Sequence, residues 1–136
     1  MAASVIVDAG FLVALLAERD VNHPWARIAA RQHPSPWQTC EAALSESFYL
    51  LGPGGASGIA ALLNRHSVMP SFHFADQAQA VLNLMQKYAD VPMSFADACL
   101  VRMTEMLSDP LLLTTDRDFR IYRRHGRRTI PCALPG

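Results

Sequence analysis

Two short apolar runs in this chain each lead to an aspartate: Ser4-Val-Ile-Val-Asp8 near the start and Leu111-Leu-Leu-Thr-Thr-Asp116 near the end. Aliphatic runs without polar alternation suit strands buried on both faces, the signature of a parallel sheet. Parallel neighbours cannot be joined by tight hairpins, so helices must supply the crossovers. In an open α/β sheet ligands sit beyond the carboxyl ends of the strands, which puts Asp8 and Asp116 where chemistry usually happens. A third acid, Asp97, falls in the first turn of an amphipathic helix beginning at Ser94. Two acids at strand ends and one at a helix start predict a convergent acidic cluster.

The intervening chain supplies the helices. Ala9–Glu18 has helical spacing through Phe11, Leu12, Leu15 and Leu16, and Asn22 is an expected N-cap for a second helix with Trp25, Ile28 and Ala29 on one face. Pro34 and Pro36 end it, and Trp37-Gln38 reads as an edge strand or an approach to the next helix. That helix runs from about Glu41 to Leu51 and stops at Gly52-Pro53-Gly54-Gly55. A small helix near Ser57–Arg65, a strand within Val68–Phe74 and a long helix from Ala75 to Tyr88 follow, the last with Ala78, Val81, Leu82 and Met85 inward. Beyond Asp116, a short helix over Asp118–His125 capped by Asp118 and a last strand at Arg128-Thr129-Ile130 complete the reading. Alternating strands and helices predict a three-layer α/β/α sandwich with a mostly parallel central sheet.

At 136 residues, 51% hydrophobic and 18% charged, the chain is expected to form a single domain over 1–136 with its own core, and disorder is not expected. Cys40, Cys99 and Cys132 lack C-x-x-C spacing and read as reduced core residues of a cytoplasmic protein. Val5–Ala17 contains Asp8, has no basic leader and is too short to span a bilayer, so no membrane association is expected. Net charge is zero, yet Arg117, Arg120, Arg123, Arg124, Arg127 and Arg128 make six of the twelve basic residues. Such a local concentration suits phosphate binding, and equally a solvated surface.

Each acid has a structural explanation as well as a chemical one. Asp8 could cap the helix after it; Ser94-Phe-Ala-Asp97 matches a capping box, in which the acid reaches back to the cap's N–H. Asp116 could serve a turn, and Asp118 a cap. Glu46 sharpens the chemical reading. Its neighbours Ala42 and Leu50, one helical turn away on either side, are apolar, so it borders the buried side of its helix. A buried carboxylate needs a partner, since desolvating it alone costs several kcal/mol. Lys87 is the only lysine, and no arginine lies three or four residues from Glu46, so a metal ion is a reasonable partner. Glu41 reads as a surface acid complementing the helix dipole. Zinc spacing among the histidines, a G-x-S-x-G elbow and the Lys-Ser/Thr of a P-loop are all missing.

With VIVDAGFLVALL, SESFYLL, PMSFADACLV and LLLTTDRDFRIYRR in this order, the sequence resembles PIN-domain ribonucleases, particularly the VapC-like toxins of toxin–antitoxin modules. The resemblance implies that Asp8, Glu46, Asp97 and Asp116 form a catalytic, metal-binding site, that Thr114 supports it by hydrogen bonding, and that Asp118 is secondary. It also implies an RNA substrate, a homodimer and a cognate antitoxin covering the acidic groove. Gly10 departs from the pattern, since many relatives carry a hydroxyl or amide there. Clustered carboxylates suit Mg²⁺ or Mn²⁺, which can activate water and stabilise charge at a phosphodiester. Arg117, Arg120, Arg123 and Arg124 follow the site and are the candidate RNA-binding cations. Tyr122 is read as a core or interface aromatic rather than a base-stacking one. The rivals are a metal-dependent phosphoesterase acting on small esters and a non-catalytic RNA- or protein-binding module of the same fold.

Overall fold

The computed structural model describes residues 3–136. β1 (Ser4–Val7), α1 (Ala9–Leu16), α2 (His23–Gln32), β2 (Trp37–Thr39) and α3 (Glu41–Leu51) form the first half. After a 3-10 turn at Pro53–Gly55 come α4 (Ala56–Asn64), β3 (Val68–Pro70), α5 (Phe74–Lys87), α6 (Phe95–Met106) and β4 (Pro110–Leu113). A second 3-10 turn at Arg117–Arg120 precedes β5 (Arg123–Arg124), β6 (Arg128–Thr129) and β7 (Cys132–Ala133).

Five of these strands make a parallel sheet in the order β3-β2-β1-β4-β7. The chain winds outward from β1 through β2 to β3, then crosses back to β4 on the other side. The topological switch therefore lies between β1 and β4, whose register pairs Val7 with Leu113. Alternation along the strands builds two cores. Ile6 and Leu112 face a layer with Val81 of α5 and Cys99, Leu100 and Met103 of α6. Val7 and Leu113 face Phe11 and Leu12 of α1, Ala26 of α2 and Ile59 of α4. The expected three-layer α/β/α sandwich with a parallel central sheet is the observed architecture. Cys40 and Cys99 are free and buried, and Cys132 is free and partly buried.

Several local expectations are corrected. β2 is interior, pairing with both β1 and β3, because Pro36 precedes the strand and the Trp37 ring buries edge-on against Phe11. Leu82 of α5 points outward and is 51% exposed. Among the described residues no α-helix follows Asp116: the short helix is a 3-10 one that ends at Arg120, and β5 and β6 then pair antiparallel across a bend where His125 and Gly126 take φ of 53° and 81°, which a right-handed helix cannot contain. The strand expected at Arg128–Ile130 belongs to this hairpin, and β7 beside β4 closes the sheet instead. Among the described residues no helix is long and apolar enough to cross a membrane.

Candidate active site

The switch point brings the predicted acids together. Asp8, Asp97, Asp116 and Glu46 line one crevice of about 210 Å³, with Gly10 and Thr115 also in its wall. Asp8 and Asp116 arrive at the carboxyl ends of adjacent strands β1 and β4. Asp97 arrives because α6 runs antiparallel to β4, which places its N-terminal turn at the same end of the sheet. Glu46 comes from the middle of α3.

Asp8 caps α1: its Oδ1 accepts from the Phe11 N–H at 2.8 Å. Its Oδ2 accepts from the Thr114 hydroxyl, and Thr114 Oγ1 in turn accepts from the Asp116 N–H at 2.9 Å. Thr114, fully buried, thus links the two strand ends. Asp116 Oδ1 accepts from the Asp118 N–H at 2.9 Å and starts the 3-10 turn, so Asp118 takes part through its backbone and is not itself the cap. At α6 only half of the capping box forms. The Asp97 N–H donates to Ser94 Oγ at 3.0 Å, but the Asp97 carboxylate accepts from the Tyr122 hydroxyl at 3.0 Å.

Glu46 is corrected in one respect. As a whole residue it is exposed, because the buried stripe of α3 runs through Ala43, Leu44 and Ser47, and Glu46 stands at the mouth of the crevice. The electrostatics follow depth. Burial, aided by Asp97 and Asp116, pushes Asp8 up to about 7 against the pull of Thr114 and the Phe11 N–H. Burial, with Asp116 and Glu46, raises Asp97 to about 6, and the Tyr122 bond and the nearby Ser94 hydroxyl oppose it. Glu46 is raised by partial burial and by Asp116. The Tyr122 phenol is pushed well above its ordinary range by burial and by Asp97, so it donates as a neutral hydroxyl.

Among the described residues no arginine, lysine or histidine lines the crevice, and the one ion pair, Arg102 with Glu105, lies elsewhere. Among the described residues no three acidic, cysteine or histidine groups close round a single point at ligand distance. The all-oxygen donor set nevertheless fits a hard divalent ion.

The arginine window divides. Arg117 and Arg120 are exposed. Arg124, expected among the RNA-facing cations, is instead 8% exposed, and its Nη2 donates to the carbonyl oxygens of Thr104 at 2.6 Å and Leu107 at 2.8 Å. Those carbonyls end α6, so Arg124 caps a helix C-terminus. Arg123 folds back too, donating from Nη1 to the carbonyls of Arg120, Ile121 and Tyr122. Sequence reasoning also missed Thr115. A Cβ built on Gly10 would collide with Thr115 Oγ1, so the Thr115 hydroxyl fills the space that a side chain at position 10 would need. The only hint was the doubled threonine before Asp116.

A parallel α/β sandwich whose switch-point crevice is lined by carboxylates without a basic partner defines a class of acid-site α/β domains. Within it, the chain belongs to the PIN domain family, matched over residues 5–124. PIN domains are generally nucleases and typically use divalent metal ions. Among curated proteins none matches the sequence.

Proposed function

We propose that this chain is a divalent-cation-dependent endoribonuclease that hydrolyses RNA phosphodiester bonds, the toxin of a cytoplasmic toxin–antitoxin pair, with residues 1–136 forming one PIN domain. The observation that carries this reading is the gathering of four carboxylates, none of them paired with a cation among the described residues, in one crevice at the switch point. A binding module has no need of an Asp8 that burial and its acidic neighbours disfavour as a charge.

Asp8, Asp97 and Asp116 would hold Mg²⁺ or Mn²⁺, directly or through water, and Glu46 at the crevice mouth would hold the ion or orient the attacking water. When bound, the ion supplies an activated water and charge neutralisation at the phosphodiester. Thr114 keeps Asp8 and Asp116 in fixed relation through its two hydrogen bonds. Asp118 starts the turn after Asp116 and is secondary. Arg117 and Arg120, exposed at the two ends of that turn, would bind RNA phosphates flanking the site. The exposed apolar end of α3, with Tyr49 at 86% and Leu50 at 59% exposure, supports a homodimer, and an antitoxin would cover the acidic crevice with a basic side chain.

The decisive experiment incubates end-labelled single-stranded RNA with the protein in Mg²⁺, Mn²⁺ or EDTA, beside Asp97→Asn. Internal cleavage that needs the metal and falls at least a hundredfold in the variant is expected. Intact RNA together with hydrolysis of a small phosphate ester would move the phosphoesterase reading ahead. No hydrolysis of either, with RNA retained equally by both proteins in EDTA, would leave the binding module.

A further inference from the structure

We infer that Tyr122 is a positioning residue for the acid site, its hydroxyl holding Oδ2 of Asp97 so that Oδ1 is the oxygen left for a divalent ion. The inference rests on the metal-site reading above and adds to it a residue outside the crevice.

Tyr122 has none of its surface exposed and is among the largest fully buried side chains of the protein. Its ring is held edge-on by Tyr88 at 5.1 Å and by Phe119 at 5.3 Å, so the ring has no open side into which to swing. A buried phenol must find an acceptor. The one it finds is the carboxylate of Asp97, at 3.0 Å.

Asp97 had another option. In the first turn of α6, three residues after Ser94, its carboxylate is placed to turn back to the Ser94 N–H and complete a capping box. Only the serine half of that box forms, at 3.0 Å. The acid half is replaced by a bond to a residue 25 positions further along the chain. A local interaction has been exchanged for a long-range one that fixes the carboxyl at the crevice. Among the described residues, Tyr122 at Oδ2 is the one donor within hydrogen-bond distance of the Asp97 carboxylate, with the Ser94 hydroxyl nearby, whereas both oxygens of Asp8 accept a bond.

The anchor is itself supported. The Arg123 N–H donates to Tyr88 Oη at 2.9 Å, tying the segment after Asp116 to the end of α5. Three parts of the chain thus converge on one hydroxyl-to-carboxylate bond: α5, α6 and the segment that follows β4. A phenylalanine at position 122 would fill the same space and make the same ring contacts. The hydroxyl therefore has a role that packing alone does not explain.

Outer partners that orient metal ligands typically contribute ten- to a hundredfold in metal affinity or activity. Calorimetric titration of Mn²⁺ into the wild type, Tyr122→Phe and Tyr88→Phe tests the inference. Tyr88→Phe removes a hydroxyl from the same aromatic cluster without touching Asp97. Tyr122→Phe is expected to weaken Mn²⁺ binding roughly tenfold, and Tyr88→Phe, which keeps the Tyr122–Asp97 bond and loses only the contact of the Arg123 N–H behind it, by clearly less. Equal affinity in Tyr122→Phe and wild type overturns the inference alone, as does an equal weakening in both variants, which would mark a structural effect. Absence of Mn²⁺ binding by the wild type overturns the metal-site reading and this inference with it. Should Tyr122→Phe not fold, the wild type decides: the ¹³Cζ resonance of Tyr122 should move on Mg²⁺ addition with the midpoint of a calorimetric Mg²⁺ titration of the same protein, and a resonance that stays still while Mg²⁺ binds overturns the inference.

Discussion

Asp8 carries two duties that conflict without a cation. Its oxygens cap α1 and receive the Thr114 hydroxyl, which fixes the first strand end, yet its charge sits 5% exposed beside two other acids. The folded protein therefore prefers Asp8 protonated, at a value raised from 3.8 to about 7. A folded value above the unfolded one contributes stability that is complete below the unfolded pKa and is lost as pH rises through the folded one. In EDTA, unfolding free energy should thus fall between about pH 4 and pH 8, by up to roughly 4 kcal/mol from this residue. Asp8→Asn keeps an oxygen for the Phe11 N–H and removes the charge, so it should be more stable than wild type at pH 8 in EDTA and flatten the pH slope. Urea melts across that range check both, and a wild-type profile that rises with pH would refute the account. Gly10 offers a second test at this scale. Gly10→Ala gains helix propensity of up to about 1 kcal/mol but meets Thr115 Oγ1, and such overpacking costs about 1–3 kcal/mol. A double-mutant cycle with Thr115→Ala should show coupling of about 1 kcal/mol or more, with the alanine at 10 more favourable once Thr115 is truncated.

At the scale of the element, α6 is set at both ends by side chains. Ser94 accepts an N–H at its start, and Arg124 donates to the Thr104 and Leu107 carbonyls at its end. Replacing Arg124 with Met keeps much of the apolar stem and removes the donors, leaving a buried carbonyl unsatisfied, which costs about 1–3 kcal/mol. The expected outcome is a destabilised protein whose RNA affinity, measured well below its melting temperature, is unchanged. Arg117→Ala and Arg120→Ala should do the reverse: little change in stability, weaker RNA binding, and a salt slope smaller by about one for each phosphate that is no longer neutralised. Fluorescence anisotropy with a labelled RNA across a salt series separates the two classes. Six arginines in one window were legible in the sequence. Which of them face water was not, because the bends that turn Arg124 inward lie at the β5–β6 hairpin, and the carbonyls it meets are 17 and 20 residues away.

Across the whole molecule, the proposed metal and protons would compete for the same carboxylates. Ion binding requires Asp8 and Asp97 deprotonated, at values near 7 and 6, so Mn²⁺ should stabilise the protein more at pH 8 than at pH 5.5. At a hundredfold excess over the dissociation constant the gain is about 2.7 kcal/mol. Differential scanning fluorimetry with and without Mn²⁺ at the two pH values reads this directly; a larger shift at the lower pH would exclude carboxylates as the ligands.

Much of the architecture was set by local sequence. The apolar runs before Asp8 and Asp116, the helical spacing of α1, α3 and α6, and the Gly52-Pro53 stop are periodicities or breaks within a few residues, and they carry the α/β/α class and the four acids. Strand order, the interior place of β2 and the closing strand β7 were decided by tertiary pairing, since a three-residue strand carries no record of its neighbours. The same holds for the supports of the site. Thr115 against Gly10, Arg124 under α6 and Tyr122 on Asp97 each join residues far apart in the chain, and only the folded sheet and its flanking helices bring such residues within bonding distance.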